Sequence, residues 1–283
     1  MRKISTLFAK VRFDTDLCLD IVPKVWYNRL VPKILEVFIV AIKWSYKEDY
    51  IVCKFYLNHV DDWKENLDCL MMELIENGFE HRVKESARMR VQNYESLHTG
   101  KGLSNAAQQS RDIYSAMIRR KQNPESYQLL RSCLESVDLG DLLNDSVNLN
   151  CYLRVETPAG ENFYDVFWKF FMDSGLTDPE VYNSCNMGRD TFWRIANKKN
   201  DGINKKTAVQ LCFGLKLSYE DSLVLLDAAG YTLSKGIMFD HVVATYLKCK
   251  NYDVNDVNLT LEENNVPSSL YLLPKNRRSK EDK

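Results

Sequence analysis

The sequence predicts a mainly α-helical protein with a helical N-terminal domain, a few strands at most within it, and a C-terminal helical bundle. Seven prolines and eleven glycines in 283 residues are too few for a turn-rich β-sandwich. Apolar residues recur at three- and four-residue intervals in one segment after another. Many of those segments are bracketed by helix start and stop residues. The expected division is 1–155, 161–265, and a disordered polar tail over 274–283, with the boundary at Glu156-Thr157-Pro158-Ala159-Gly160.

Taken in order, 27–44 is apolar too densely to show a period, and 34–44 is far short of the roughly 20 residues of a membrane span. The stretch 50–57 is β-prone in composition and suits a strand or a buried helix equally. Over 61–77, Trp63, Leu67, Leu70, Met71, Leu74 and Ile75 share one helical face. Asp61 or Asp62 is placed to cap that helix, and Asn77-Gly78 to end it. A charged helix is expected over 79–95, then a loop at His98-Thr99-Gly100-Lys101-Gly102. Polar helices follow at 105–121, ending in Arg119-Arg120-Lys121, and at 125–137. An extended piece is expected at 147–155.

The second half is more regular. An amphipathic helix over 162–174 carries Phe163, Val166, Phe167, Phe170 and Phe171 and stops at Gly175. Leu176-Thr177-Asp178-Pro179 supplies an N-cap and a first-turn proline for a short helix over 179–185. Asn186-Met187-Gly188 is a connector tolerant of positive φ, and 189–198 is the next helix. Helices are expected over 205–216, 219–229, 239–248 and 253–264.

Composition narrows the setting. With 45% hydrophobic and 27% charged residues, the chain is that of a soluble globular protein. Its net charge of −1 means that any nucleic-acid footprint must be local. The eight cysteines form no Cys-x-x-Cys pair and lie far from a matching histidine pattern. Reduced thiols, a cytoplasmic location and no metal are therefore expected. Basic Met1-Arg2-Lys3 is followed by Asp14, Asp16 and Asp20 rather than by an apolar run, unlike a signal peptide.

One constellation carries functional information. Two short helices joined by a tight connector and packed under a third are the core of a helix-turn-helix. Val181 and Tyr182 of the first can face Phe192 and Ile195 of the second. The second helix then shows a polar face of Arg189, Asp190, Trp193, Arg194 and Asn197. Between 189 and 206 six basic residues (Arg189, Arg194, Lys198, Lys199, Lys205 and Lys206) outnumber two acidic ones, as phosphate neutralisation requires. Lys205 and Lys206, with Asn204, open the following helix, where backbone N–H groups can meet a phosphate.

Three segments resemble the lambda-repressor-like (XRE-type) helix-turn-helix domain. They are Gly175-Leu176-Thr177-Asp178-Pro179-Glu180-Val181-Tyr182, Arg189-Asp190-Thr191-Phe192-Trp193-Arg194-Ile195, and Lys206-Thr207-Ala208-Val209-Gln210-Leu211-Cys212-Phe213-Gly214-Leu215-Lys216-Leu217-Ser218. With Leu225-Leu226-Asp227-Ala228-Ala229-Gly230-Tyr231 and two further helices, the segment is similar to modules appended to bacterial stress and defence proteins. The resemblance implies a lambda-repressor-like bundle and a DNA-binding transcription or defence factor whose N-terminal domain senses, dimerises or recruits. A homodimer would compensate for the weak specificity of one recognition helix. RNA is the second polyanion that the same patch would suit. The alternatives are a protein-interaction module, or an effector enzyme with an unrecognised N-terminal site. No Walker loop, Gly-x-Ser-x-Gly, His-Glu-x-x-His or Rossmann fingerprint occurs, and no cofactor is expected.

Overall fold

The computed structural model describes residues 43–101, 106–135, 162–198 and 202–273. Among these residues there are twelve α-helices, one 3-10 turn and no strand. The linker at 156–160, the extended piece at 147–155 and the tail at 274–283 lie outside the described residues. No helix of the described residues is long and apolar enough to cross a membrane.

The chain separates into two compact units, Met1–Ala106 and Ala107–Lys283. In the first unit, α1 (Tyr46–Asn58), α2 (Leu67–Glu76) and α3 (Lys84–Thr99) pack on one another. The β-prone stretch 50–57 is helical because Ser45 and Glu48 form a reciprocal capping box at the start of α1. Tertiary burial of Ile51, Val52, Phe55 and Tyr56 then outweighs β propensity. α2 starts at Leu67 rather than at Asp61. The Asp62 carbonyl instead accepts the N–H groups of Glu65 (3.0 Å) and Asn66 (3.2 Å) in a turn. Gly100 ends α3 in the left-handed region (φ 68°), so the Gly100-Lys101 loop is a helix C-terminus, which disfavours an anion.

Charges hold this unit together from inside. Glu48 and Asp49 are both buried in the first turn of α1. Arg82 donates to Glu48 through Nε (2.6 Å) and Nη2 (3.1 Å), and its guanidinium lies 4.2 Å from the Trp44 ring centroid. Arg90 grips Asp49 at 2.8 and 2.7 Å, and the Tyr94 hydroxyl donates to the same carboxylate at 2.6 Å. The basic residues of the 79–95 segment are thus partly interior groups.

The second unit begins with α4 (Gln108–Gln122) and α5 (Pro124–Glu135) and continues with α6 (Phe163–Ser174), α7 (Asp178–Ser184), α8 (Arg189–Ala196) and α9 (Lys205–Gly214). It closes with α10 (Tyr219–Ala228), α11 (Met238–Lys248), α12 (Val254–Glu263) and the 3-10 turn Ser268–Leu270. The composition change near 156–160 suggests that α4 and α5 belong with the N-terminal domain. They pack instead on α12 and α11, respectively. The reason is Arg120. It pairs with Asp256 and with Glu263 (2.8 Å), and donates to the Asp256 carbonyl (2.9 Å) and to Thr260 Oγ1 (2.6 Å), all on α12. Arg119 adds Asp253 at 2.5 Å, and His241 Nε2 lies 3.1 Å from the Leu134 carbonyl. The Arg119-Arg120-Lys121 run is therefore largely a tertiary clamp rather than a free helix terminus.

Both sets of buried charges bear on stability. Arg120→Ala should cost about 3–5 kcal/mol in chemical denaturation, because it strands part-buried carboxylates. Burial raises the Glu48 carboxyl, but the bonds from Arg82 and Ser45 outweigh it and the net shift is downward. A lowered folded value contributes stability that is complete above the ordinary value of 4.5 and lost as pH falls through the folded value. Glu48→Gln should flatten the acid side of the stability profile, read from urea midpoints between about pH 7 and about pH 3.

Candidate nucleic-acid interface

Helix α6 supplies the platform. Asn162 caps it, accepting from the Tyr164 and Asp165 N–H groups, and Phe163, Phe167 and Phe171 line its inner face. Phe192 of α8 inserts against them, 6.1 Å from Phe167 and 6.0 Å from Phe171 between ring centroids. Tyr182 of α7 reaches the same ring at 6.0 Å. Val181 turns instead toward α9, where Gly214 leaves it room. A Cβ at Gly214 would sit 3.0 Å from Val181 Cγ1, the Val181 carbonyl and Cys185 Sγ, so α7 and α9 approach as closely as they do only over a glycine.

The connector 185–188 is locked rather than loose. Asn186 takes the left-handed conformation (φ 52°), while Gly188 is extended (φ −70°) and serves as the N-cap of α8. Gln210 of α9 donates through Nε2 to the Cys185 (2.9 Å) and Asn186 (3.3 Å) carbonyls. Asn186 Nδ2 donates to Asn255 Oδ1 of α12 at 2.7 Å. Two neighbouring helices therefore fix the angle at which α8 leaves the turn.

With Phe192 and Ile195 buried, α8 turns Arg189, Asp190, Trp193, Arg194 and Asn197 outward. Trp193 is 50% exposed, and its carbonyl accepts from Asn197 Nδ2 at 2.8 Å. Arg189 and Arg194 form no ion pair with another described residue. Lys198, just past the helix, meets Asp165 at 3.2 Å in an exposed pair. Lys199 lies outside the described residues.

Lys205 is a correction. Its position at the start of α9 suggests a phosphate contact, yet the residue is only 6% exposed and its Nζ lies 2.5 Å from Asp240 Oδ2. The same oxygen accepts the Ser234 N–H at 2.8 Å. Burial pushes the Asp240 carboxyl up even though Lys205 pulls it down. The cause of the misassignment is that α9 is buried around nearly its whole circumference, so a lysine on its inner side must pair with an acid. Lys206 is half-buried and donates to the Ser269 carbonyl at 3.4 Å.

A cleft of about 350 Å³ lies where the first turns of α8 and α9 meet, lined by Asn186, Gly188, Thr191, Asn204, Lys206 and Leu273 among others. Asn204 caps α9, its Oδ1 accepting the Thr207 N–H at 2.8 Å. α8 has no side-chain cap; the carbonyl of its N-cap Gly188 accepts the Thr191 (2.9 Å) and Phe192 (3.0 Å) N–H groups. The thiols around this frame are inert, burial pushing both Cys185 and Cys212 up to about 12. Among the described residues no three His, Cys, Asp or Glu side chains converge as a metal site.

Comparison with known proteins adds no relative: no family model, no curated protein and no solved structure matches the chain.

Removing one member of the buried pair should be structural in effect. Asp240→Ala is expected to cost about 3–5 kcal/mol by leaving Lys205 buried without its counter-charge, whereas Lys205→Met with Asp240→Leu should recover much of that loss. Thermal melts of the three proteins check this. A double variant that melts as low as Asp240→Ala would show that pairing is not what the site requires.

Proposed function

We propose that the second unit binds duplex nucleic acid, DNA foremost, by laying α8 into the major groove in the manner of an XRE-type helix-turn-helix. One observation carries this reading. α8 is anchored by two buried apolar residues and a doubly pinned connector, while its opposite face presents Arg189, Arg194 and Asn197 without a buried function of their own. Arg and Asn are the side chains suited to guanine and adenine edges. The uncapped start of α8 is suited to a phosphate oxygen. Trp193 offers a ring for stacking or for apolar contact, although its bulk is better matched to shape than to a base edge.

The effective patch is smaller than the sequence count of basic residues. Lys205 is neutralised by Asp240, and Lys198 is shared with Asp165. Sequence-specific regulation of transcription, dimer formation and a sensing role for the first unit go with this reading as its extensions. A protein partner on the same face is the competing outcome.

The decisive measurement is a gel shift of the full chain on duplex DNA over a salt series. Replacing Arg189 and Arg194 by Gln should weaken binding and make the plot of log affinity against log salt shallower by about 0.9 for each phosphate no longer neutralised. Affinity that is unchanged, in magnitude and in salt dependence, removes the nucleic-acid reading and leaves the protein-partner one.

A further inference from the structure

Helix α5 is lightly held. Among the described residues, Leu130 is the one buried side chain of its twelve residues. Its other anchors are polar: the Tyr127 hydroxyl donates to Glu263 at 2.9 Å, and the Leu134 carbonyl lies 3.1 Å from His241 Nε2. Open clefts adjoin it. One of about 260 Å³ is lined by Ser126 and Leu130 together with Asn251 and Asp253. Another, of about 340 Å³, is lined by Leu134 together with Met238 at the start of α11. α5 and α11 therefore run antiparallel, along a seam that packing leaves partly unfilled.

Two thiols meet across that seam. Cys133 lies in the last turn of α5, and Cys249 is the C-cap of α11. The Cys249 thiol forms a side-chain hydrogen bond with Cys133. Both are free thiols, Cys249 exposed and Cys133 half-buried, so an oxidant in solution can reach them. Cys53, Cys185 and Cys212 are buried, and Cys69 is exposed on α2 of the other unit. Burial first, and the adjoining thiol second, push the Cys249 thiol above its ordinary value, because two neighbouring sulfurs resist ionising together. Cys133 and Cys249 are far apart in the sequence, so no Cys-x-x-Cys spacing announces them.

We propose that Cys133 and Cys249 form a redox modification site, a dithiol that a peroxide converts reversibly into a disulfide bracing α5 on α11. One sulfur, as thiolate, attacks a peroxide oxygen; the O–O bond breaks, hydroxide leaves and a sulfenic acid forms. The second sulfur attacks the first, the S–S bond forms, and the sulfenic oxygen leaves as water. Two thiols and one hydrogen peroxide thus become one disulfide and two waters, the sulfurs losing the two electrons that the peroxide gains. A small thiol returns the pair to the dithiol by exchange. The cross-link acts on the least buried of the attachments: local opening of α5, opposed from within by Leu130, can no longer carry it away from α11. The site does not depend on what α8 binds.

The test treats the folded full chain with stoichiometric hydrogen peroxide, blocks the remaining thiols by alkylation, and maps the peptides by mass spectrometry. The expected result is a linked pair of peptides containing Cys133 and Cys249, separated again by dithiothreitol. The linked protein should melt about 5 to 10 °C above the reduced one, and its α5 amides should exchange more slowly. Cys133→Ser and Cys249→Ser should each lose the link and the gain, whereas Cys69→Ser should keep both. Where a serine variant does not fold, the peptide map of the unaltered chain decides. Cys249 oxidised singly to a sulfinic acid, either sulfur paired with another cysteine or another chain, or a link that forms only after unfolding would each overturn the site. A native link that raises neither the melting temperature nor the protection of α5 overturns the bracing.

Discussion

Helix α9 is enclosed by the second unit on nearly every side, and that enclosure organises what surrounds it. Lys205, Thr207 and Gln210 are buried alongside Ala208, Val209, Leu211, Cys212 and Phe213, so each polar group among them needs an interior partner. The partners found are structural. Asp240 ties α9 to α11, and the Cys185 and Asn186 carbonyls tie it to the turn between α7 and α8. Gly214 then lets α7 settle onto the far end of α9. The pose of α8 is set by these bonds more than by its own eight residues, which are too few to form a stable helix alone.

Charge is sorted by the same logic in both units. Arg82 and Arg90 in the first unit, and Arg120 and Lys205 in the second, each meet a carboxylate away from solvent. Buried pairs of this kind specify arrangement more than they add stability, because desolvation of both ions offsets most of their attraction. The consequence for function is one of subtraction. Much of the basic content is consumed inside, and what stays outward on α8 is Arg189 and Arg194, balanced in part by Asp190.

A long-range contact also ties α4 into the second unit. Arg120 joins α4 to α12 through Asp256, Thr260 and Glu263, residues 136 to 143 positions later in the sequence. A contact of that span leaves no trace in local composition. What local composition does show is a Pro- and Gly-containing stretch at 156–160, outside the described residues, whereas the compact units are Met1–Ala106 and Ala107–Lys283. Beside the α8 face there thus stands a framework in which α4 and α5 brace α11 and α12, and α12 in turn holds Asn186 and Leu272.

Helix existence was legible in the sequence because it is a local property: apolar spacing, caps and stop residues act within a few positions. The mainly helical class, the run of short helices from 163 onward and the burial of Phe192 and Ile195 could all be read from that spacing. The outward residues of α8 come from the same periodicity. What the sequence could not show is which side of a helix faces a partner far away in the chain. Lys205 illustrates the limit: a lysine after an asparagine cap looks like a phosphate ligand, and only the approach of Asp240 from α11 makes it an interior ion. Arg120, Glu48 and the clamp on Leu272 were decided in the same way. Their partners come from distant positions, and desolvation then leaves each buried polar group no alternative but the partner that packing brings to it.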